Sequence, residues 1–164
     1  MNILTLADNK VSKLSNGQLV DTAYLEKELR KTCHYVQYVV IGLKDGRSPF
    51  ALIFPNHTLF TKPNYEKNPE EGCFCPRNLN EIGRCLSGCI NSMNHQLAPE
   101  YAGINAAAII SAELSVEDGT LTPALNTIPE NVIKKYKNHI TNLFGGKISV
   151  REEAFNMKFH EHML

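Results

Sequence analysis

Four cysteines of this 164-residue chain lie close enough together to suggest a metal site. Four thiolates can hold a tetrahedral zinc ion or an iron–sulfur cluster. Their spacing, however, is Cys-x-Cys followed by Cys-x3-Cys rather than two Cys-x-x-Cys pairs. The second pair also falls on the apolar stripe of a predicted helix, where cysteine behaves as a small hydrophobic residue. We predict a metal-free chain and keep a cysteine-based metal-binding protein as an alternative; the residues concerned are Cys73, Cys75, Cys85 and Cys89.

No arrangement typical of nucleophilic catalysis is legible in the sequence. Ser92 and His95 are three residues apart in a predicted helix, but no third partner and no oxyanion hole can be named for them. His160 and His162 alternate near the C-terminal end, and we interpret them as background rather than as metal ligands.

The charge balance and the composition exclude several classes of partner. The chain has 17 basic and 17 acidic residues, so it lacks the basic footprint that binding to nucleic acid requires. No apolar run approaches the roughly 20 residues that span a bilayer, and the first ten residues lack the pattern of a signal peptide. An odd number of cysteines, five, suits a reducing compartment. We therefore predict no membrane span and a cytoplasmic location.

The N-terminal half predicts two hairpins and a helix. Asn16-Gly17 is typical of a two-residue turn, which predicts a hairpin over residues 11–20 and then a helix over residues 22–31. The β-branched and aromatic residues at 35–41 and 50–54 predict a second hairpin. Residues 57–77 contain three prolines and predict a long loop or insertion.

The C-terminal half predicts two more helices and a buried strand. Asn78-x-x-Glu and Thr127-x-x-Glu each resemble a capping box, at the start of helices over residues 78–97 and 128–144. The apolar residues 106–111 predict a strand between them. Hairpins and three helices without regular β-α-β alternation predict an α+β domain with a small sheet. We assign residues 1–146 to this domain and expect the tail, residues 147–164, to dock on it or on a neighbour.

Three segments in order carry a resemblance to a known family. The first is residues 13–20, with Leu-Ser-Asn-Gly at its centre, and the second is residues 39–53, with Gly-Arg-Ser-Pro between its strands. The third is residues 118–123, which include Leu-Thr-Pro and precede a helix containing Lys135-Tyr136. Together they resemble the small C-terminal domain, or lid, of long-chain acyl-CoA synthetases and related AMP-forming adenylating enzymes.

This resemblance implies a lid that rotates against a large domain between adenylation and thioester formation. ATP, Mg and CoA are implied only for a complete ligase, and none of them for this chain alone. The partner implied is an adenylating large domain, with self-association as another possibility. The residues implied to face the active site or the partner are Ser15, Asn16, Gly17, Gly119, Thr122 and Pro123.

The sequence departs from the family pattern where the chemistry matters. The family's catalytic lysine position holds Asn126, and the hinge position falls on Asn9 or on Asp8. The chain contains no Ser/Thr/Gly-rich phosphate loop ending in Pro-Lys. We therefore expect a degenerate, free-standing lid that acts with a separate or missing ATP-binding large domain and is inactive alone. A catalytically silent protein-interaction module is the alternative.

Overall fold

The computed structural model describes residues 11–32, 35–56 and 78–159. Several sequence predictions fall outside these ranges and stay predictions. They concern the hinge residues Asp8 and Asn9, the loop or insertion at 57–77, Cys73 and Cys75, and the histidines His160 and His162.

The first described residues form a small hairpin, as Asn16-Gly17 predicts. Strands β1 (Val11–Lys13) and β2 (Leu19–Asp21) pair antiparallel in a sheet of their own. Helix α1 (Thr22–Thr32) follows at once, and the side chain of Asp21 accepts a hydrogen bond from the Tyr24 N–H, 3.0 Å. This contact satisfies one of the N–H groups that the first turn of a helix leaves without a partner.

Within the described ranges the main sheet has four strands, in the order β3-β4-β5-β6. They are β3 (Val36–Lys44), β4 (Ser48–Pro55), β5 (Ala106–Ile110) and β6 (Ala154–Lys158). The pair β4–β5 is parallel, and the pairs β3–β4 and β5–β6 are antiparallel. All five residues of β5 are buried, because β5 has a strand on each side and helices over both faces.

Helices cover both faces of this sheet. On one face, α1 and α2 (Leu79–Gln96) pack on the set of strand residues that includes Ile41, Ile53 and Ile109. On the other face, α3 (Pro129–Lys135) and α4 (Lys137–Leu143) pack on the alternate set, because successive strand residues point to opposite faces. The predicted α+β fold is confirmed. No helix in the described ranges is long and apolar enough to cross a membrane.

The structure confirms one predicted helix start and corrects two other predictions about the helices. The Asn78 cap is confirmed, since its Oδ1 accepts a hydrogen bond from the Glu81 N–H, 2.9 Å. The capping box at Thr127 is wrong: the residue before α3 is Ile128, which makes no side-chain cap bond, and Thr127 instead forms a bridge with Leu121. The helix predicted over 128–144 is divided at Tyr136, where φ is −103° and ψ is 26°.

Part of the predicted tail docks on this domain as β6. Phe155 lies against Gly83 of α2, where a methyl group would come within 2.3 Å of the Phe155 ring. The Ser87 hydroxyl donates a hydrogen bond to the Met157 sulfur, 3.1 Å. The glycine at position 83 therefore makes room for the strand that closes the sheet.

Candidate functional site

Residues 121–127, here called the terminal loop, fold into a closed and outward-pointing turn. The Thr122 N–H donates to the Asn126 carbonyl, and the Leu125 N–H donates to the Thr122 carbonyl, each at 2.8 Å. Leu125 has a φ of 64°, in the left-handed region that residues with a Cβ seldom adopt. The residues from Pro123 to Asn126 are exposed. The loop thus presents these four residues to solvent on a fixed backbone.

An ion pair anchors the base of the terminal loop to α3. Lys135 Nζ donates a hydrogen bond to Asp118 Oδ2, and the Thr120 N–H donates to Asp118 Oδ1, 2.9 Å. Asn131 on the same helix donates from Nδ2 to the Gly119 carbonyl, 2.8 Å. Partial burial by itself would raise the pKa of Asp118. The hydrogen bonds from Lys135 and Thr120 outweigh that effect and hold the pKa well below its usual value.

Asn126 stands where the resemblance implies a lysine. Its carbonyl closes the terminal loop, and its N–H donates to Thr122 Oγ1, 3.2 Å. Within the described residues its carboxamide makes no hydrogen bond, so the side chain is presented to solvent. An amide carries no net charge and cannot supply the cation that stabilises a transferring phosphoryl group.

The turn at residues 15–17, here called the hinge-side turn, is held in place by its neighbours. Gly17 has a φ of 91°, which a turn of this kind requires and glycine tolerates. Asn16 Oδ1 accepts a hydrogen bond from the Gln18 N–H, 2.9 Å. The Ser15 N–H donates to the Gly46 carbonyl, 3.4 Å, so the hinge-side turn lies beside the β3–β4 turn.

The hinge-side turn and the terminal loop lie at opposite ends of the sheet. The β3–β4 turn marks the end where β4 begins, and there Phe50 packs on Phe144 with ring centroids 5.8 Å apart. Where β4 ends, Phe54 packs on Tyr136 at 5.1 Å. The parallel strand β5 also ends there, and five residues later the Ser115 carbonyl accepts a hydrogen bond from the N–H of Leu121, the first residue of the terminal loop, 3.0 Å. The eight residues of β4 span on the order of 25 Å. The structure therefore does not bring the two predicted motifs together at one site.

His139, a buried histidine near the start of α4, was not identified from the sequence as a functional candidate. His139 is 4% exposed, and its Nε2 has no hydrogen-bond partner in the described residues. The carboxylate of Glu152, just before β6, has Oε1 at 3.8 Å from Nε2, which is too long for a hydrogen bond. Burial lowers the pKa of His139, and the carboxylate of Glu152 opposes this shift only in part. The imidazole is therefore neutral at pH 7.

The remaining residues considered from sequence that lie in the described ranges show no reactive geometry. Cys85 and Cys89 lie one turn apart on α2, half-buried. In the part of the chain that the structure describes, no group of three or more His, Cys, Asp or Glu side chains could hold a metal. Cys73 and Cys75 lie outside that part, so the metal-free chain stays a prediction. His95 Nδ1 donates to the Asn91 carbonyl, 2.8 Å.

One cleft of about 290 Å³ lies between the start of α1 and the end of α2. None of the predicted site residues lines it. Its walls include Tyr24, Leu25, Leu97 and Tyr101.

Similar proteins were found among solved structures alone. No protein-family model matches the sequence, and no curated protein is similar to it. The fold is similar to the A-PCP didomain of carboxylic acid reductase from Segniliparus rugosus in complex with AMP, with 17% identity, a TM-score of 0.59 and 83% of this chain covered. It is also similar to the adenylation domain of the carboxylate reductase from Mycobacterium chelonae, with 17% identity, a TM-score of 0.56 and 84% of this chain covered.

The similarity covers only a small part of those longer chains. It extends over 17% of the Segniliparus didomain and 20% of the Mycobacterium domain. A further structure of the Segniliparus A domain, with AMP and a co-purified carboxylic acid, gives 18% identity, a TM-score of 0.54, 82% coverage of this chain and 20% of that one. At such identities the likeness shows a shared fold. This chain therefore has the fold of a segment about one fifth the length of an adenylation domain.

Proposed function

We propose that this chain works as the lid of an AMP-forming long-chain acyl-CoA ligase. In this proposal it closes over the active site of a large domain that is separate or missing here, during acyl activation in the cytoplasm. The complete ligase binds ATP, Mg and CoA, and the chain alone activates no acid. The fold similarity to adenylation domains supports this proposal, as does the order of the three segments along the sequence.

The placement of the two motifs is the observation that carries the proposal. A lid that serves two half-reactions must present a different surface to the large domain in each, so its two functional loops need separate faces. Here the hinge-side turn and the terminal loop lie beside opposite ends of the main sheet, and both are held by hydrogen bonds. A fixed backbone lowers the ordering cost of docking at either end.

The neutral side chain of Asn126 limits which step of the reaction the lid can assist in this proposal. Because the amide is neutral, the terminal loop lacks the charge that would assist loss of pyrophosphate. The proposed contribution is therefore to the thioester step, or to organising the partner's active site. The same substitution favours the second candidate function, a catalytically silent module that retains the fold and binds a different protein.

The first test is ATP–pyrophosphate exchange by the purified chain with a panel of fatty acids. We expect no exchange, and clear exchange by the chain alone would refute the proposal. The second test identifies proteins that co-purify with the full chain from its native cell. Recovery of an adenylating protein would support the lid function. If the chain stays monomeric and recovers no such protein, the catalytically silent module becomes the better account.

Once an adenylating partner has been identified, the variant Asn126→Lys can be tested in the complex, because it restores the missing cation. We expect a faster exchange reaction in the complex. The matched control is Asn91→Lys, which adds the same charge at an exposed position on α2, over the other face of the sheet. Equal effects of the two variants on the exchange rate would show that the terminal loop does not contact the ATP site.

A further inference from the structure

The tip of the terminal loop is apolar, exposed and conformationally unfavourable at the same time. Pro123, Ala124 and Leu125 are three consecutive exposed apolar residues, a pattern that folded proteins avoid unless it has a use. The Leu125 side chain is 58% exposed, more than any other large apolar side chain in the described ranges. The tip is therefore a candidate for contact with another molecule.

The backbone of Leu125 supports the same interpretation independently of its exposure. At a φ of 64° the Cβ of an L-residue crowds the following carbonyl, whereas glycine fits without this penalty. Unfavourable backbone conformations of this sort cluster at functional sites. A leucine at this position therefore opposes stability twice, through its backbone and through its solvent-exposed side chain.

The terminal loop is also preorganised. The bridge between Leu121 and Thr127 closes it, and the ion pair of Asp118 with Lys135 fixes its base to α3. The tip can therefore enter a recess as a rigid body, without the ordering cost that a flexible loop would carry.

The geometry points to Leu125 as an apolar plug that seats in an apolar recess of an adenylating large domain. This inference rests on the proposed function and names the contact through which the lid docks. The similar solved chains are about five times longer than the segment that matches this one, so the remainder of such a chain is the partner that would cover this surface.

The first experiment places a photo-crosslinking amino acid at single positions of the full chain in its native cell. The positions are Leu125, Asn16 in the hinge-side turn, and Ile148, which is 43% exposed and follows α4. Adducts are identified by mass spectrometry. We expect position 125 to capture an adenylating protein and position 148 not to do so.

The outcomes of this experiment separate the inference from the proposed function. Capture of an adenylating protein at position 16 but not at 125 would overturn the inference about Leu125, while the proposed lid function would still be supported. Absence of an adenylating protein at every position would overturn both. Equal capture at positions 125 and 148 would show nonspecific contact and would also overturn the inference.

The second experiment compares Leu125→Gly with Ile148→Ser in the complex with the captured partner. Glycine tolerates the left-handed backbone, so the unfolding midpoint of Leu125→Gly should not fall. Its dissociation constant for the partner should rise about tenfold or more, while that of Ile148→Ser stays unchanged. Undiminished affinity of Leu125→Gly, in a chain that still folds, would show that the leucine is not the docking contact.

Discussion

Lys135 Nζ donates a hydrogen bond to Asp118 Oδ2, seventeen residues earlier in the sequence, and this contact fixes the base of the terminal loop to α3. Asp118 in turn accepts hydrogen bonds from Thr120, so one carboxylate connects the helix and the loop. Both charged side chains reach solvent, with 41% of the Lys135 side chain and 26% of the Asp118 side chain exposed. The ion pair therefore organises the loop more than it stabilises the fold.

Replacing Asp118 with Asn should lower the free energy of unfolding by about 1 kcal/mol at neutral pH. Asparagine keeps the oxygen that accepts from Thr120, but it replaces Oδ2 with an NH2 group that cannot accept from Lys135, so the substitution removes the ion pair. Urea unfolding measures the change, with Glu117→Gln as the control for an adjacent carboxylate. Because the pKa of Asp118 is lowered in the folded state, its contribution is present above the unfolded value of about 3.9 and is lost as the pH falls. A difference between wild type and Asp118→Asn that persists unchanged at pH 2 would contradict this account.

His139 should make the fold less stable in acid. Its pKa is lowered in the folded state, so below about pH 6.5 the unfolded chain takes up a proton that the folded chain does not. Stability is complete above that pH and declines as the pH falls through it. Urea unfolding between pH 7.5 and pH 5 should show a shallower decline for His139→Gln. Glu152→Gln removes the charge that favours the protonated imidazole, and it should steepen the decline; the opposite order would contradict the burial argument.

Gly83→Ala should destabilise the domain by about 1–3 kcal/mol, because the added methyl group overlaps the ring of Phe155 in β6. Gly88 provides a matched control on the same helix, since a methyl group there meets no atom within 4 Å. Gly88→Ala should therefore be stabilising by up to about 1 kcal/mol from helix propensity. Thermal unfolding distinguishes the two variants, and similar midpoints would show that β6 does not pack on α2 in this way.

Tyr136→Ala should cost about 3–5 kcal/mol. The ring is 2% exposed and lies between Phe54 of β4 and His139 of α4, so its removal leaves a cavity at the point where α3 meets α4. Tyr24 on α1 is 42% exposed, and Tyr24→Ala should change stability by less than about 0.5 kcal/mol. Comparable losses for the two tyrosines, measured by urea unfolding, would show that the apolar stripe of this helix pair is misassigned.

Local chemistry accounts for what the sequence predicts correctly. Asn16-Gly17 predicts the first turn because glycine tolerates its positive φ, and the Asn78 side chain predicts the start of α2 because it satisfies an N–H group of the first turn. The interruption of the last helix at Tyr136 was not predictable, because the apolar spacing of Val132, Tyr136 and Ile140 fits a continuous helix. Periodicity shows which face is buried but not where the axis changes.

Contacts between distant parts of the chain were the ones that the sequence did not reveal. The local sequence predicts that Asp118 is the first residue of a turn and that Lys135 is one of several lysines on a polar helix face. The burial of His139 follows from the packing of α4 on the sheet, which no local pattern encodes. The separation of the two motifs likewise depends on the parallel pairing of β4 with β5, across a connection that includes α2.

The position of β5 has a consequence for any shortened form of the chain. Ala106–Ile110 consists of alanine and isoleucine, and in the part of the chain that the structure describes its outer backbone groups pair with β6. Ending the chain at residue 146 would remove β6 and leave those N–H and C=O groups as an open, uncharged edge. Such an edge recruits other strands and promotes aggregation. A tail-deleted chain would thus oligomerise through a surface that the intact molecule keeps closed.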